Sequence, residues 1–383
     1  MLDPTPYRSL FPITQRYAFF DHAGVSPLNT RAADAMRSLV DWTVQAPFTE
    51  FYQVVVDRLH DLRHRCTTLV NAASVDEIVL MPNTATGINT VALGLPLHAG
   101  DNVLVLDGDY PANIYPWMNL AQRGVLTKVV PQRNGGLDLD LLTSRIDSRT
   151  RVIALSTVLF ATGFRNDLQA VGQICREREI YFVVDAIQSL GALPCDVQAA
   201  HIDCLACGSQ KWLLGPVGSG FLYIRRDVLD RLVPGPYVGA ASVVGAENFL
   251  DYNFTLLPTA ERFSIGSPNL MGLLGLLASV ELLQEIGIER IAERVLRLAG
   301  VAMEDLEARG YNLAADTAPE HRSGIVVVEL DDPVAMSARL QAAGIICIPR
   351  GKGIRIAPHF YNTEAEIRRI GEVLGNRRHG GTS

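Results

Sequence analysis

Only three of the 34 basic side chains in this 383-residue sequence are lysines, so chemistry that needs a primary amine has few owners. Lys128 falls in the alternating run 126–130, where a solvent-facing strand position accounts for it, and Lys352 lies in a Gly-Lys-Gly turn. Lys211 differs. It follows an apolar run and Ser209, and it precedes Trp212 and a loop containing Gly215, Gly218 and Gly220. A lysine in that setting is partly desolvated, its pKa falls, and it suits attack on a carbonyl to form a Schiff base. Upstream, the run 181–184 ends in Asp185, an acid at the carboxyl end of a buried strand, where open α/β sheets bind their ligands. A carboxylate there wants a cationic partner such as a protonated ring nitrogen, although taken alone it also reads as a helix N-cap. Gln188, one turn further on, is placed to hydrogen-bond the same ligand.

The elements that position these groups follow from hydrophobic period. Runs rich in Val, Ile and Leu at 77–81, 102–107, 151–156, 180–185, 204–207 and 220–225 read as buried strands. Helical spacing at 113–122, 139–146 and 168–178 lies between several of them, so most neighbours are expected to be parallel, in an α/β sheet covered on both faces. Residues 29–43 and 50–70 read as helices, as does 270–309 with a break at Ile286-Gly287. Strands at 325–330, 345–348 and 354–357, with helices at 333–342 and 364–374, make a small α+β unit. The expected division is an N-terminal segment 1–15, a large ligand-binding domain 16–284 and a small domain 285–383, with the tail from Arg377 frayed.

Composition removes other classes. Hydrophobic residues at 48% and charged residues at 20% suit a globular chain, and no apolar run reaches the ~20 residues of a membrane helix. The start has no basic-then-apolar leader, so a cytoplasmic location is expected. A net charge of −7 without a basic block argues against nucleic acid as a partner. Cys204 and Cys207 form a C-x-x-C, but residues three apart on a strand face opposite ways, so they read as buried strand cysteines rather than a metal or redox pair. No metal site is expected.

The stretch Asp185-Ala-Ile-Gln188-Ser, followed by Ser209-Gln-Lys211-Trp-Leu-Leu-Gly215-Pro-Val-Gly218-Ser-Gly220, resembles the class V branch of the fold type I pyridoxal-phosphate enzymes. That branch includes certain aminotransferases, cysteine desulfurases, kynureninase and isopenicillin N epimerase. The resemblance spans nearly the whole chain. It implies a large domain with a mostly parallel, mixed seven-stranded sheet, a small C-terminal α+β domain, and pyridoxal 5'-phosphate held by Lys211. Under it, Asp185 keeps the cofactor's ring nitrogen protonated and Gln188 meets the ring oxygen. Asn83-Thr84-Ala85-Thr86-Gly87 opens a helix whose N-terminus favours a phosphate, with an ordinary threonine cap as the alternative. Ser209 resembles a second phosphate contact. Tyr110, in Asp109-Tyr110-Pro111-Ala112-Asn113, resembles the residue that stacks on the cofactor, against a buried core tyrosine, and Asn113 is expected beside the substrate. The segment from Arg262 to Asn269 resembles one that reaches the neighbouring subunit's phosphate, which implies a homodimer with Ser267 shared across it. Arg355 matches the arginine that grips a substrate α-carboxylate, against a plain surface arginine. Asp21-His22-Ala23-Gly24 stands at the small-residue substrate loop, so His22 and Gly24 are expected at the substrate.

Three departures separate the sequence from cysteine desulfurases. Gln210 stands where they carry histidine, Phe160 near where they carry asparagine, and Cys347, eight residues before Arg355, reads as a strand residue rather than a mobile nucleophile. Transamination of a small amino acid is the favoured reaction. The same residues serve a carbon–sulfur lyase, a cysteine desulfurase-like enzyme or an isopenicillin N epimerase-like epimerase. A non-catalytic phosphate-binding module on a doubly wound sheet is the reading from another class. Substrate choice is expected to lie in loops such as 235–248.

Overall fold

In a computed structural model, the protein is described over residues 2–234, 237–248 and 250–377. The frayed-tail expectation beyond Arg377 and the start of the loop 235–248 fall outside the described residues. Strand β1 (Ala18–Phe19) opens the chain's sheets, and the main sheet is built from β2 (Ile78–Met81), β3 (Asn102–Leu106), β4 (Leu126–Val130), β5 (Thr150–Ser156), β6 (Tyr181–Asp185), β7 (Cys204–Gly208) and β8 (Gly220–Ile224). Their spatial order is β2-β8-β7-β6-β5-β3-β4, with only the β2–β8 and β8–β7 pairings antiparallel. This is the mostly parallel, mixed seven-stranded sheet that the resemblance implies.

Continuous apolar runs give this sheet two dry faces, because alternate side chains leave a strand in opposite directions. Leu104 and Leu106 of β3, Ile153 and Leu155 of β5, and Phe182 and Val184 of β6 enter one core. Val103 and Val105, Val152 and Ala154, and Val183 enter the other. The two cysteines obey the same rule: Cys207 lies in the first core and Cys204 in the second, both buried. Lys128 on edge strand β4 pairs with Asp147 at 2.5 Å, at the surface.

The small unit holds β9 (Val326–Glu329), β10 (Ile345–Ile346), β11 (Ile348–Arg350) and β12 (Gly353–Ile356). The expected single strand 345–348 is in fact two. Ile345 and Ile346 pair in parallel with β1, and after Cys347 the chain crosses to an antiparallel sheet ordered β11-β12-β9. Ser337 Oγ donates to the Cys347 carbonyl at 2.8 Å, filling the acceptor at the switch. A second correction concerns 113–122, which is a 3-10 turn, a four-residue helix Tyr115–Met118 and another 3-10 turn. Pro111 and Pro116 each lack an N–H and each begin a new turn, so one continuous helix cannot form. The break at 286–287 is real: Leu270–Ile286 ends at Gly287, whose φ of +93° only glycine adopts easily, and Ile288–Ala308 begins anew. Leu270–Ile286 is apolar on nearly all sides because it is sandwiched between the main sheet's core and the helices Thr30–Gln45 and Phe48–Val70. No single helix among the described residues is long and apolar enough to cross a membrane.

Candidate active site

The carboxyl ends of β5, β6 and β7 converge on Asp185 and Lys211. Asp185 is 1% exposed. Its Oδ1 accepts from the Ile187 amide at 2.9 Å, while Oδ2 is buried with no partner. Burial raises its pKa to about 7, and the charge of Asp109 pushes the same way. Lys211 is also buried, and burial lowers its amine to about 8 against the opposing pull of Asp185. Its Nζ lies 5.2 Å from the centre of the half-exposed Tyr110 ring and makes no hydrogen bond or ion pair among the described residues. An amine, an aromatic face and an open carboxylate oxygen thus surround one space.

The turn that carries Lys211 is tightly specified. Leu214, at φ +55°, occupies left-handed backbone that a branched residue seldom adopts. Its amide donates to the Lys211 carbonyl at 3.0 Å, and its own carbonyl accepts from Ser279 Oγ at 2.8 Å and Asn29 Nδ2 at 3.5 Å. Gly215 is required because a Cβ there would meet the Ser209 side chain at 2.7 Å. Ser209 itself corrects the sequence expectation. It is fully buried and bonds the Pro216 carbonyl at 2.6 Å and Ser219 Oγ at 2.7 Å, so it braces the loop rather than offering a phosphate contact.

Around the helix Thr84–Gly94, Asn83 Oδ1 caps the Thr86 amide at 2.8 Å and takes the Thr86 hydroxyl at 3.1 Å. The amides of Thr84 and Ala85 remain unpaired among the described residues, and the Thr84 hydroxyl accepts from the Gly208 amide at 2.8 Å while keeping its own proton to donate. Gln210, read from sequence only as a departure, sits here too: its Oε1 is buried without a partner, and a Cβ on Gly208 would come within 2.7 Å of it. Adjacency to Lys211 was the available signal. A cavity of about 880 Å³ is lined by Asn83, Ala85, Thr86 and Ser267, so within one chain Ser267 already shares a wall with the helix start.

The residues beyond the sheet separate into two groups. Arg355, on β12, is 1% exposed; its Nη2 donates to Asp21 Oδ1 at 2.9 Å and its Nη1 to the Phe160 carbonyl at 3.2 Å. The Phe160 ring meets Tyr110 edge-on with centroids 5.2 Å apart, so Phe160 links the guanidinium to the aromatic face over Lys211. Gln188 gives one N–H to the Ala23 carbonyl and accepts from Trp212 Nε1, both at 3.2 Å, which leaves one amide N–H for a ligand. Gly24 is held small because a Cβ would lie 2.2 Å from Asp21 Oδ2.

His22 and Asn113 are both fully buried. His22 is fully buried, with Nδ1 donating to the Ala357 carbonyl and Nε2 accepting from the Tyr361 hydroxyl, each at 2.7 Å. Burial and neighbouring His359 hold its pKa well down, so it is neutral, and both ring nitrogens are engaged within the chain rather than open to a substrate. Asn113 is fully buried and donates to Asp109 Oδ2 at 3.1 Å, while its Oδ1 has no partner among the described residues. Asp109 went unnoticed in the sequence beyond its place in the tyrosine segment. Its two oxygens accept from the Tyr110 amide, Asn113, and both the amide and hydroxyl of Ser156, which clamps the Tyr110 turn to the end of β5.

These residues fit a cofactor with a protonated ring nitrogen and an anionic arm. The unpartnered Asp185 oxygen awaits a donor, Lys211 stands beside it, and open helix amides offer an anion cradle. The family pattern described as Aminotransferase class-V matches residues 18–370. Among relatives, an uncharacterised aminotransferase, YcbU, of Bacillus subtilis is 28% identical over 98% of this chain and 99% of its own length. A cysteine desulfurase of Klebsiella pneumoniae is 31% identical, covering 71% of this chain and 67% of that one. Among solved structures, a lysine-to-alanine variant of C-DES with glycine covalently linked to its PLP cofactor superposes with a TM-score of 0.89 at 26% identity, over 98% of this chain and 99% of that one. The cystine C-S lyase C-DES with its product cysteine persulfide gives 0.88 at 26% identity, over 95% and 98% of the two chains. With its sheet order, its lysine turn and this match along nearly its full length, the chain belongs to the class V aminotransferase family of pyridoxal-phosphate-dependent enzymes.

Proposed function

We propose that the protein is an aminotransferase acting on a small amino acid, with Lys211 as the proton carrier and Arg355 as the carboxylate anchor. The observation that carries this reading is the lone desolvated amine of Lys211 facing the open oxygen of Asp185. Pyridoxal phosphate, when bound, supplies an electron sink for the charge left at the substrate's Cα. Asp185 would hold a proton on the ring nitrogen, Tyr110 would lie against the ring, and Thr84, Ala85, Thr86 and Gln210 would hold the phosphate. Gln188 orients the ring through its free N–H. Lys211 Nζ would accept the proton from the substrate's Cα, and amino transfer would require the same nitrogen to give that proton back.

A two-base epimerase is less well served. His22 and His359 are buried and neutral, each with both ring nitrogens engaged, so neither supplies a base on the opposite face. A desulfurase that carries sulfur on a protein thiol is also disfavoured, because Cys347 is 3% exposed and burial pushes its pKa far up. Carbon–sulfur lysis is the second reading, favoured by the likeness to the cystine lyase C-DES, and it uses the same single base.

The wider assignments belong to this proposal. Six unpaired cysteines suit a reducing, cytoplasmic setting. A homodimer would cover Leu250, Tyr252 and Phe254, which are 89%, 92% and 74% exposed on the single chain. The proposed division keeps a large cofactor domain ending near Glu285 and a small domain beyond it, to whose core Ala18 and Phe20 from the start of the chain also contribute. The deciding test supplies the holoenzyme with single amino acids and no keto acid. One equivalent of keto acid per site, with the cofactor absorbance bleached until a keto acid is added, is expected. Continuing release of sulfide and keto acid with an unchanged spectrum establishes the lyase instead.

A further inference from the structure

Arg355 is already occupied by an anion of its own chain. Its guanidinium is nearly inaccessible, yet the pairing with Asp21 is one-armed: Oδ1 touches Nη2 at 2.9 Å, and Nε stays buried with no partner. A carboxylate that meets a guanidinium side-on makes two parallel hydrogen bonds, so Asp21 under-uses the group it neutralises. Its backbone explains why it comes no closer. The Asp21 carbonyl accepts from the Gly24 amide at 3.0 Å, and the residue is bridged to Ala357, so the side chain reaches Arg355 from a fixed stem.

We propose that Asp21 is a resident counter-ion which the substrate's α-carboxylate replaces on Arg355, and that the missing side chain of Gly24 keeps room for the Asp21 carboxylate. This rests on the reading of Arg355 as the carboxylate anchor. A buried guanidinium without an anion is strongly unfavourable, so the free site retains Asp21 until a better anion arrives. The incoming carboxylate competes because it brings two hydrogen bonds where Asp21 gives one. The exchange makes Asp21 a specificity-determining residue: amines without a carboxylate have nothing with which to displace it. It also weakens every productive ligand by the strength of the bond it must break.

The test uses holoenzyme and propionate, a carboxylate with no amino group, measured as a competitive inhibitor of amino-acid turnover. Asp21→Asn is expected to bind propionate about fivefold or more tightly and to lower KM in the same proportion, with inhibition by ethylamine unmoved. Arg355→Gln is expected to lose propionate inhibition. Where Asp21→Asn fails to fold, Gly24→Ala substitutes for it, since a Cβ 2.2 Å from Asp21 Oδ2 drives the carboxylate off its position without changing charge, and the same tightening is expected. If Arg355→Gln weakens propionate while the Asp21 variant weakens it too or leaves it unchanged, Asp21 merely holds Arg355 in place and the exchange is overturned. If Arg355→Gln leaves propionate binding intact, the anchor reading itself fails.

Discussion

The carboxyl edge of the seven-stranded sheet and the small three-stranded sheet treat charge in opposite ways. At the large sheet, Asp185 has one donor for two oxygens and Lys211 Nζ has no partner among the described residues. At the small sheet, Arg355 is met by an aspartate and a carbonyl before any ligand arrives. The first region therefore leaves groups open for a ligand, and under the proposed exchange the second is rearranged by one. The same contrast recurs within the large sheet. Asp109 and Asp185 are both buried, but Asp109 has four donors and holds structure, whereas Asp185 has one and waits.

The sharpest way to break this contrast is to remove the waiting amine. Lys211→Ala should abolish covalent fixation of the cofactor by borohydride and lower turnover by about 10²–10⁴-fold, read by peptide mapping and keto-acid assay. Persistent labelling would move the role to Lys128 or Lys352. Asp185→Asn should lower kcat by about 10²–10³-fold with the fold intact. Asp109→Asn is the control: it should cost about 1–3 kcal/mol in denaturant unfolding, with a much smaller loss in kcat than the Asp185 variant shows. Equal kinetic losses at the two aspartates would erase the distinction between them.

A pH series sharpens it further. The pKa of Asp185 is raised from 3.8 to about 7 in the cofactor-free fold, so between those values the folded chain holds a proton that the unfolded chain has released. Its contribution therefore falls as pH rises through that window, by at most ~1.4 kcal/mol per pH unit. Asp185→Asn and cofactor binding should each make the slope shallower without removing it, because burial also raises Asp203, Asp109 and Asp21, as measured by unfolding at each pH. The smallest effect is expected at Cys347→Ala, which should cost about 1 kcal/mol of stability and leave turnover unchanged. A large loss of sulfide release there would reinstate thiol-based desulfuration.

Much of the large-sheet region is legible along the chain because its groups are close in sequence. Asp185, Gln188 and Lys211 follow one another at strand ends, and the continuous apolar runs of β3, β5 and β6 announce two covered faces. The small-sheet region hides because its contacts are distant. Nothing near Asp21 reveals Arg355, and nothing near His22 reveals the Tyr361 hydroxyl that seals it off. Ser209 has the right chemistry at the right spacing, yet its side chain turns inward to the Pro216 carbonyl. Spacing specifies which residues gather, while rotamers and neighbours decide which of them face the ligand.

The bond between Asp21 and Arg355 joins residues 334 positions apart. At roughly 5–20 residues per second of synthesis, Asp21 leaves the ribosome roughly 20–70 s before its partner exists. Strand β1 waits as well, since β10 and Ala357 hold it in place and both are made late. The beginning of the chain is therefore among the last parts to settle. During that interval the nascent protein can assemble its seven-stranded sheet and its lysine turn, while the surroundings of Arg355 are completed only when the two ends of the chain meet.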